Sequence, residues 1–279
     1  MITEQVSHDD IHRRFDPNFF TDYVLFSGSL RHYVVKCLED LWKADPNEIQ
    51  RRFLVVGLYR EEYAAYEDMG AILAAIIRFQ KGELKFPIEG VLRYKPDNVI
   101  LESLFARYNI NSADDLYAVL QGDSLVPADW HTQYPDIDCA KVLKRMCRFM
   151  FVDCQKNQNR YGIDAYNRIK HGLAFVPNGN RYLNDLPNSP AVLITNPKPK
   201  SEPYVLLGLP MDNSVLEERA KLVEFIQSTI RAIVSFYLIR EYAEFLRESR
   251  KISPATEIFN LLPLQSVKDF MRQLSNKPE

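Results

Sequence analysis

Asn167, Arg168, Lys170 and His171 lie within the heptapeptide Tyr166-Asn167-Arg168-Ile169-Lys170-His171-Gly172, and their types suit chemistry at a phosphate. An imidazole that titrates near neutrality can act as general acid or base, and an arginine or lysine beside it can neutralise developing phosphorane charge. Read as a helix, the segment places Asn167 and His171 one turn apart on one face, with Arg168 a neighbour of His171 three positions on. Gly172 then suits the residue just past the helix end, where glycine tolerates a left-handed backbone. A structural reading stands beside the chemical one. Cations in a last turn meet the exposed carbonyls and the negative end of the helix dipole, a common setting for histidine before glycine.

Positive charge gathers just upstream. Lys141, Lys144, Arg145, Arg148, Lys156, Arg160, Arg168 and Lys170 face only Asp153 and Asp164 over the same stretch, in a chain whose net charge is -2. The spacing predicts a helix carrying Lys141, Arg145, Arg148, Lys156 and Arg160 on one face and Leu143, Met146, Cys147, Met150 and Cys154 on the other. Such a basic face fits the phosphate backbone of a nucleic acid, and Tyr161 and Tyr166 could stack on bases. The same charges would also suit a solvated helix face paired with acids elsewhere, for which Glu61, Glu62, Glu67 and Asp68 are candidates.

Other chemistries lack their residues. There is no G-x-x-x-x-G-K-[ST] loop, no G-x-G-x-x-G turn and no nucleophile elbow, and Ser27-Gly28-Ser29 reads as a cap or turn. Cys37, Cys139, Cys147 and Cys154 form no C-x-x-C pair, and no glutamate on the acidic helix is followed by histidine at di-metal spacing. No metal or cofactor is expected.

The elements that must position the heptapeptide are helical. A hydrophobic content of 46% over 279 residues is ample for a core, and a pI near 6.3 argues against wholesale polyanion binding while leaving room for a local patch. Leu30 to Trp42 reads as an amphipathic helix. Asp45-Pro46-Asn47-Glu48 supplies an N-cap and first-turn proline for a second, whose apolar face runs from Ile49 to Ile76 and which should stop at Gly82. Asp97 to Arg107 is a weaker helix. Ser112 opens a short helix ending near Gly122, Ser266 opens the last, and Ser214 opens a long one to about Arg250. At 1.5 Å per residue that last element spans roughly 50 Å, the length of a bundle spine or a dimer surface.

Between Val176 and Pro210 prolines and asparagines accumulate, and the β-prone pieces Ala191–Thr195 and Tyr204–Leu207 suggest a hairpin inserted between helices. The expectation is therefore a mainly all-α, helical-bundle fold in one domain: a helical extension over 1–44, a helical body over 45–176, the loop and hairpin over 177–210, and the long and terminal helices over 211–279. The apolar runs stop well short of a bilayer span and the first ten residues lack an apolar signal core, so the cytoplasm is the expected location, without a membrane.

A helical chain with a Tyr-Asn-x-x-Lys-His-Gly turn, followed by Phe175, Val176 and a hairpin, resembles HEPN-type proteins (higher eukaryotes and prokaryotes nucleotide-binding). The resemblance covers the motif and the helices from Asp45 to about Val176. It implies a helical bundle, often a homodimer, associated with RNA or a nucleotide, and in many members a metal-independent ribonuclease of toxin or defence systems. Catalytic members carry an arginine, four to six residues, then the histidine, whereas Arg168 and His171 are separated by only two. The resemblance thus carries over His171, with Asn167 and Arg168 matching its polar surroundings. The alternative expectation is a non-catalytic helical module in which the turn is structural and the long helix mediates self-association or docks a partner.

Overall fold

A computed structural model describes residues 7, 9, 16–22, 28–94, 100–122, 135–155, 160–170, 175–176, 190–195, 204–250 and 265–276. It is mainly helical. In chain order the elements are α1 (Asp16–Asp22), α2 (Gly28–Lys43), α3 (Glu48–Gln80), α4 (Pro87–Leu92), α5 (Leu101–Arg107), α6 (Ala113–Val119), α7 (Cys139–Arg148) with a π-helical turn (Phe149–Cys154), α8 (Arg160–Lys170), β1 (Phe175–Val176), β2 (Ala191–Thr195), β3 (Tyr204–Gly208), α9 (Asn213–Arg250) and α10 (Gln265–Asn276). The residues form two compact units: 1–29, 68–155 and 227–279 in the first, and 30–67 and 156–226 in the second.

Local signals place most boundaries. At the start of α3 the cap is Asn47 rather than Asp45. The Asn47 side chain accepts from the Gln50 N–H at 3.0 Å, and the Gln50 side chain accepts from the Asn47 N–H at 2.9 Å. This reciprocal pair satisfies two otherwise orphaned donors. Asp45 instead adopts a left-handed φ of 54° in the preceding turn. Gly82 ends α3 as its type requires, at φ +72°, while Glu83 N–H reaches back to the Arg78 carbonyl at 2.9 Å and Gly82 N–H to that of Phe79 at 2.9 Å. Ser112 caps α6 by accepting from the Asp115 N–H.

The first unit is built on the second half of α3, where every residue from Met69 to Ile77 is buried. A helix buried on all sides belongs at the centre of a core rather than at its edge. On α7 the apolar stripe is buried as its spacing predicts: Leu143, Met146 and Cys147 are fully covered, as are Met150 and Cys154 of the π-helical turn. Lys144 and Arg148 are exposed on the other side. Asp138 caps α7 by accepting from Lys141 N–H at 3.0 Å, and its own N–H donates to Ser275 Oγ of α10 at 3.0 Å. Burial pushes the thiols of Cys139, Cys147 and Cys154 up, that of Cys147 to about 12, so all three stay protonated and unreactive.

The second unit holds α2, the first half of α3, α8, the sheet and the start of α9. Its sheet is antiparallel in the order β1-β2-β3, with Val192 opposite both Phe175 and Leu207. The hairpin lies where the β-prone pieces place it, and Phe175–Val176 adds a third strand to it. Ala191 and Val192 are fully buried, and α8 packs against β2.

The long helix α9 spans 38 residues and bends at Tyr242, whose φ of -126° and ψ of 24° leave helical space. From Asn213 to Tyr242 it is long and apolar enough to cross a membrane by length and composition. However, 71% of its most apolar window is buried inside the protein, as in a core helix.

Candidate functional site

The end of α8 carries the motif. Its apolar positions Ala165 and Tyr166 turn inward, 3% and 7% exposed, while Arg168 and Lys170 are exposed and Asn167 is half-buried. That division follows helical periodicity, since residues 165, 166 and 169 face the unit and 168 and 170 face away from it. Arg168 forms no ion pair among the described residues. His171 and Gly172 lie outside the described residues, as does Lys156; Arg160 belongs to α8 and Tyr161 follows it, and their side chains also lie outside them.

Tyr166 and Lys170, four apart on α8, converge on one carboxylate. The Tyr166 hydroxyl donates to Glu67 Oε2 at 2.8 Å, and Lys170 Nζ lies 3.4 Å from the same oxygen. The Lys170 ammonium also sits 5.4 Å from the centroid of the Tyr166 ring. The ring stacks on Tyr63 at 6.3 Å with an interplanar angle of 20°. Tyr166 is therefore enclosed by Tyr63, Glu67 and Lys170, and its role in this arrangement is to fix the last turn of α8 against α3. The charge on Lys170, 42% exposed, is partly offset by Glu67.

One turn back along α3 a second carboxylate meets a second cation. Glu62 is 3% exposed and accepts from the guanidinium of Arg219 on α9, whose central carbon sits over the Tyr59 ring at 3.8 Å from its centroid. Burial pushes the Glu62 carboxyl up, and the Arg219 charge and hydrogen bond pull against it. Burial also raises the Tyr59 hydroxyl to about 12 and that of Tyr63 further, so both rings stay neutral throughout the physiological range. Burial opposes the Arg219 cation, but Glu62 outweighs it and holds the guanidinium charged. Glu61, on the neighbouring face, pairs with Arg31 of α2 at 2.7 Å. Glu61, Glu62 and Glu67 are thus satisfied in turn by α2, α9 and α8. Only the last of these partners comes from the basic stretch. Sequence reasoning missed Arg219, although Tyr59, Tyr63 and Tyr66 at helical spacing around Glu62 are the signal that something polar is enclosed there.

The remaining basic candidates, Lys141, Arg145 and Arg148, belong to the first unit. Arg145 donates to the Leu274 carbonyl of α10, so it closes a helix end rather than presenting its charge. Lys141 is half-buried and Arg148 exposed, while the adjacent Lys144 lies 5.3 Å from the centroid of the Tyr117 ring.

The chain matches no protein-family model, no curated protein and no solved structure. An exposed arginine beside a half-buried amide, on a helix end held by Tyr166 and Lys170, can place two donor groups on a phosphate.

Proposed function

We propose that this chain is a HEPN-like helical protein that associates with RNA or a nucleotide through the end of α8. The observation that supports the reading is Arg168, an exposed guanidinium without an ion-pair partner among the described residues, next to Asn167 on a helix end anchored by Glu67. Arg168 and Lys170 supply phosphate contacts, Asn167 adds a directional donor, and Lys156 and Arg160 add sequence-independent attraction. The resemblance of the Tyr-Asn-x-x-Lys-His-Gly turn extends the proposal to metal-independent cleavage. In that chemistry His171 takes a proton from a ribose 2′-hydroxyl or gives one to the leaving oxygen, and Arg168 stabilises the phosphorane. A homodimer that brings two such turns together, in a toxin or defence system of the cytoplasm, completes the proposal.

Binding of labelled tRNA at low salt tests it. Arg168→Ala should weaken binding and reduce the slope of log affinity against log salt by about one, and His171→Ala should abolish any cleavage while leaving binding in place. Absence of tRNA binding at low salt would overturn the reading.

A second reading is favoured by the burial of Tyr166 and the Lys170–Glu67 pair. Here the turn is structural, and the chain is a non-catalytic interaction or dimerisation module. It expects Tyr166→Phe and His171→Ala to lower the melting temperature with no RNA activity to lose.

A further inference from the structure

A separate cavity of about 280 Å³ lies in the second unit, where the last turns of α2 and the first turns of α3 meet the start of α9. Leu38, Leu54, Leu58 and Leu216 give it an apolar floor, and Trp42 forms a wall. The pieces are already fixed in place. Trp42 Nε1 donates to Asn213 Oδ1 at 3.0 Å, and the Arg51 guanidinium lies 5.6 Å from the centroid of the indole. Arg51 is itself held by Asp45 Oδ1 at 2.7 Å and the Pro46 carbonyl at 3.0 Å. A site formed in advance spares a ligand the cost of ordering its walls.

The charges that line the cavity indicate what enters it. Arg51 and Asp45 neutralise each other, and Glu39 shares Lys36 with Asp40, at 3.7 and 3.6 Å. Lys43 and Glu217 also line the space, and among the described residues neither forms an ion pair. Beside the paired charges, the cavity therefore offers one cation and one anion without an ion pair among the described residues, and a leucine floor beside an indole. We infer that it binds a small zwitterion with an apolar body, the chemistry of a free aromatic or aliphatic amino acid. The carboxylate meets Lys43, the ammonium meets Glu217, and the side chain occupies the leucine floor. A neutral apolar molecule would satisfy neither charge, and an anion or cation alone only one.

Trp42 reports occupancy directly, in a Trp130→Phe background that leaves it the sole indole among the two tryptophans of the chain. Titration with L-phenylalanine should give a saturable change in fluorescence, whereas phenethylamine and 3-phenylpropionate, each lacking one charge, should bind at least about threefold more weakly. Lys43→Glu and Glu217→Lys, both at exposed positions that tolerate substitution, should each weaken L-phenylalanine binding by a similar factor. No saturable response at millimolar L-phenylalanine, equal affinity for the three compounds, or charge reversals without effect would each overturn the inference.

Discussion

Asp16 and Glu62 are both buried carboxylates, and the two units of the molecule satisfy them in opposite ways. In the first unit Asp16, fully buried, accepts from the Ile88 N–H at 2.9 Å, the Tyr237 hydroxyl at 2.8 Å and the Tyr242 hydroxyl at 2.5 Å. In the second unit Glu62 is met by the Arg219 cation, itself over the Tyr59 ring. Neutral donors fix an acid by geometry and tie distant segments together, here the start of α1, the start of α4 and the bend in α9. A cation fixes it by charge, with less demand on direction and a stronger dependence on pH. Tyr242 leaves helical space where its hydroxyl reaches Asp16, so the bend in α9 coincides with the tightest of these bonds.

Asp16→Ala carries the largest expected effect. It takes the acceptor from the buried Ile88 N–H and the Tyr242 hydroxyl and leaves the Tyr237 hydroxyl only its 3.5 Å bond to Tyr242, and at about 1 to 3 kcal/mol per donor left unsatisfied or nearly so the loss is about 3 kcal/mol. Urea unfolding measures it. A loss under about 1 kcal/mol would show that the three bonds are not what holds these segments.

Arg219→Ala comes next, because Glu62 then remains buried without its cation. Breaking such a pair costs about 3 to 5 kcal/mol when both partners are enclosed, and the 25% exposure of the Arg219 side chain places this one nearer 2 to 3. Its pH dependence separates the two designs. The folded protein holds the Glu62 proton more tightly than the unfolded chain, so stability falls as pH rises from the ordinary value of 4.5 through the raised folded pKa. Removing Arg219 raises that pKa further and steepens the fall on the way to neutrality. Unfolding of Arg219→Ala at pH 4 and pH 7 should therefore show a larger deficit at pH 7.

Tyr242→Phe removes the Tyr242 donor to Asp16 and should cost about 1 to 2 kcal/mol. Burial and the neighbouring Asp16 charge push the hydroxyls of Tyr237 and Tyr242 well above their ordinary value of 10.0. The stability they contribute is intact below pH 10 and lost above it, as the unfolded chain releases protons that the folded one keeps. Alkaline unfolding should begin in that range and be shallower in Tyr242→Phe.

Much of this was legible in the sequence and some was not, for identifiable reasons. Gly82, Ser112 and the α7 stripe act through neighbours within a turn, so periodicity and cap residues locate them. The Asn47 cap was missed because Asp45-Pro46 offered an equally good local signal, and only the Gln50 side chain decides between them. Asp16 with Tyr237 and Tyr242, and Glu62 with Arg219, join residues far apart in the chain, and no local pattern reveals such pairings. At the motif, sequence located Asn167, Arg168 and Lys170 correctly on one helix end. It could not show that Tyr166 turns inward to Glu67, since a tyrosine in an amphipathic helix serves as core or as surface according to what faces it.

Glu67 is the mildest test and the one closest to function. It resembles Asp16 in accepting from a tyrosine and Glu62 in meeting a cation, but Lys170 is 42% exposed and 3.4 Å away, so the pair contributes little to stability. Glu67→Gln keeps an oxygen for the Tyr166 hydroxyl and removes the charge, which should change stability by less than about 1 kcal/mol. If the end of α8 binds RNA, the freed Lys170 gains a phosphate partner, and affinity at low salt should rise about twofold, with the gain fading as salt screens it. Unchanged affinity would assign Lys170 to holding the helix end rather than to the ligand. A fall in affinity would mean that the Glu67 anchor, and not the charge it offsets, is what presents Arg168.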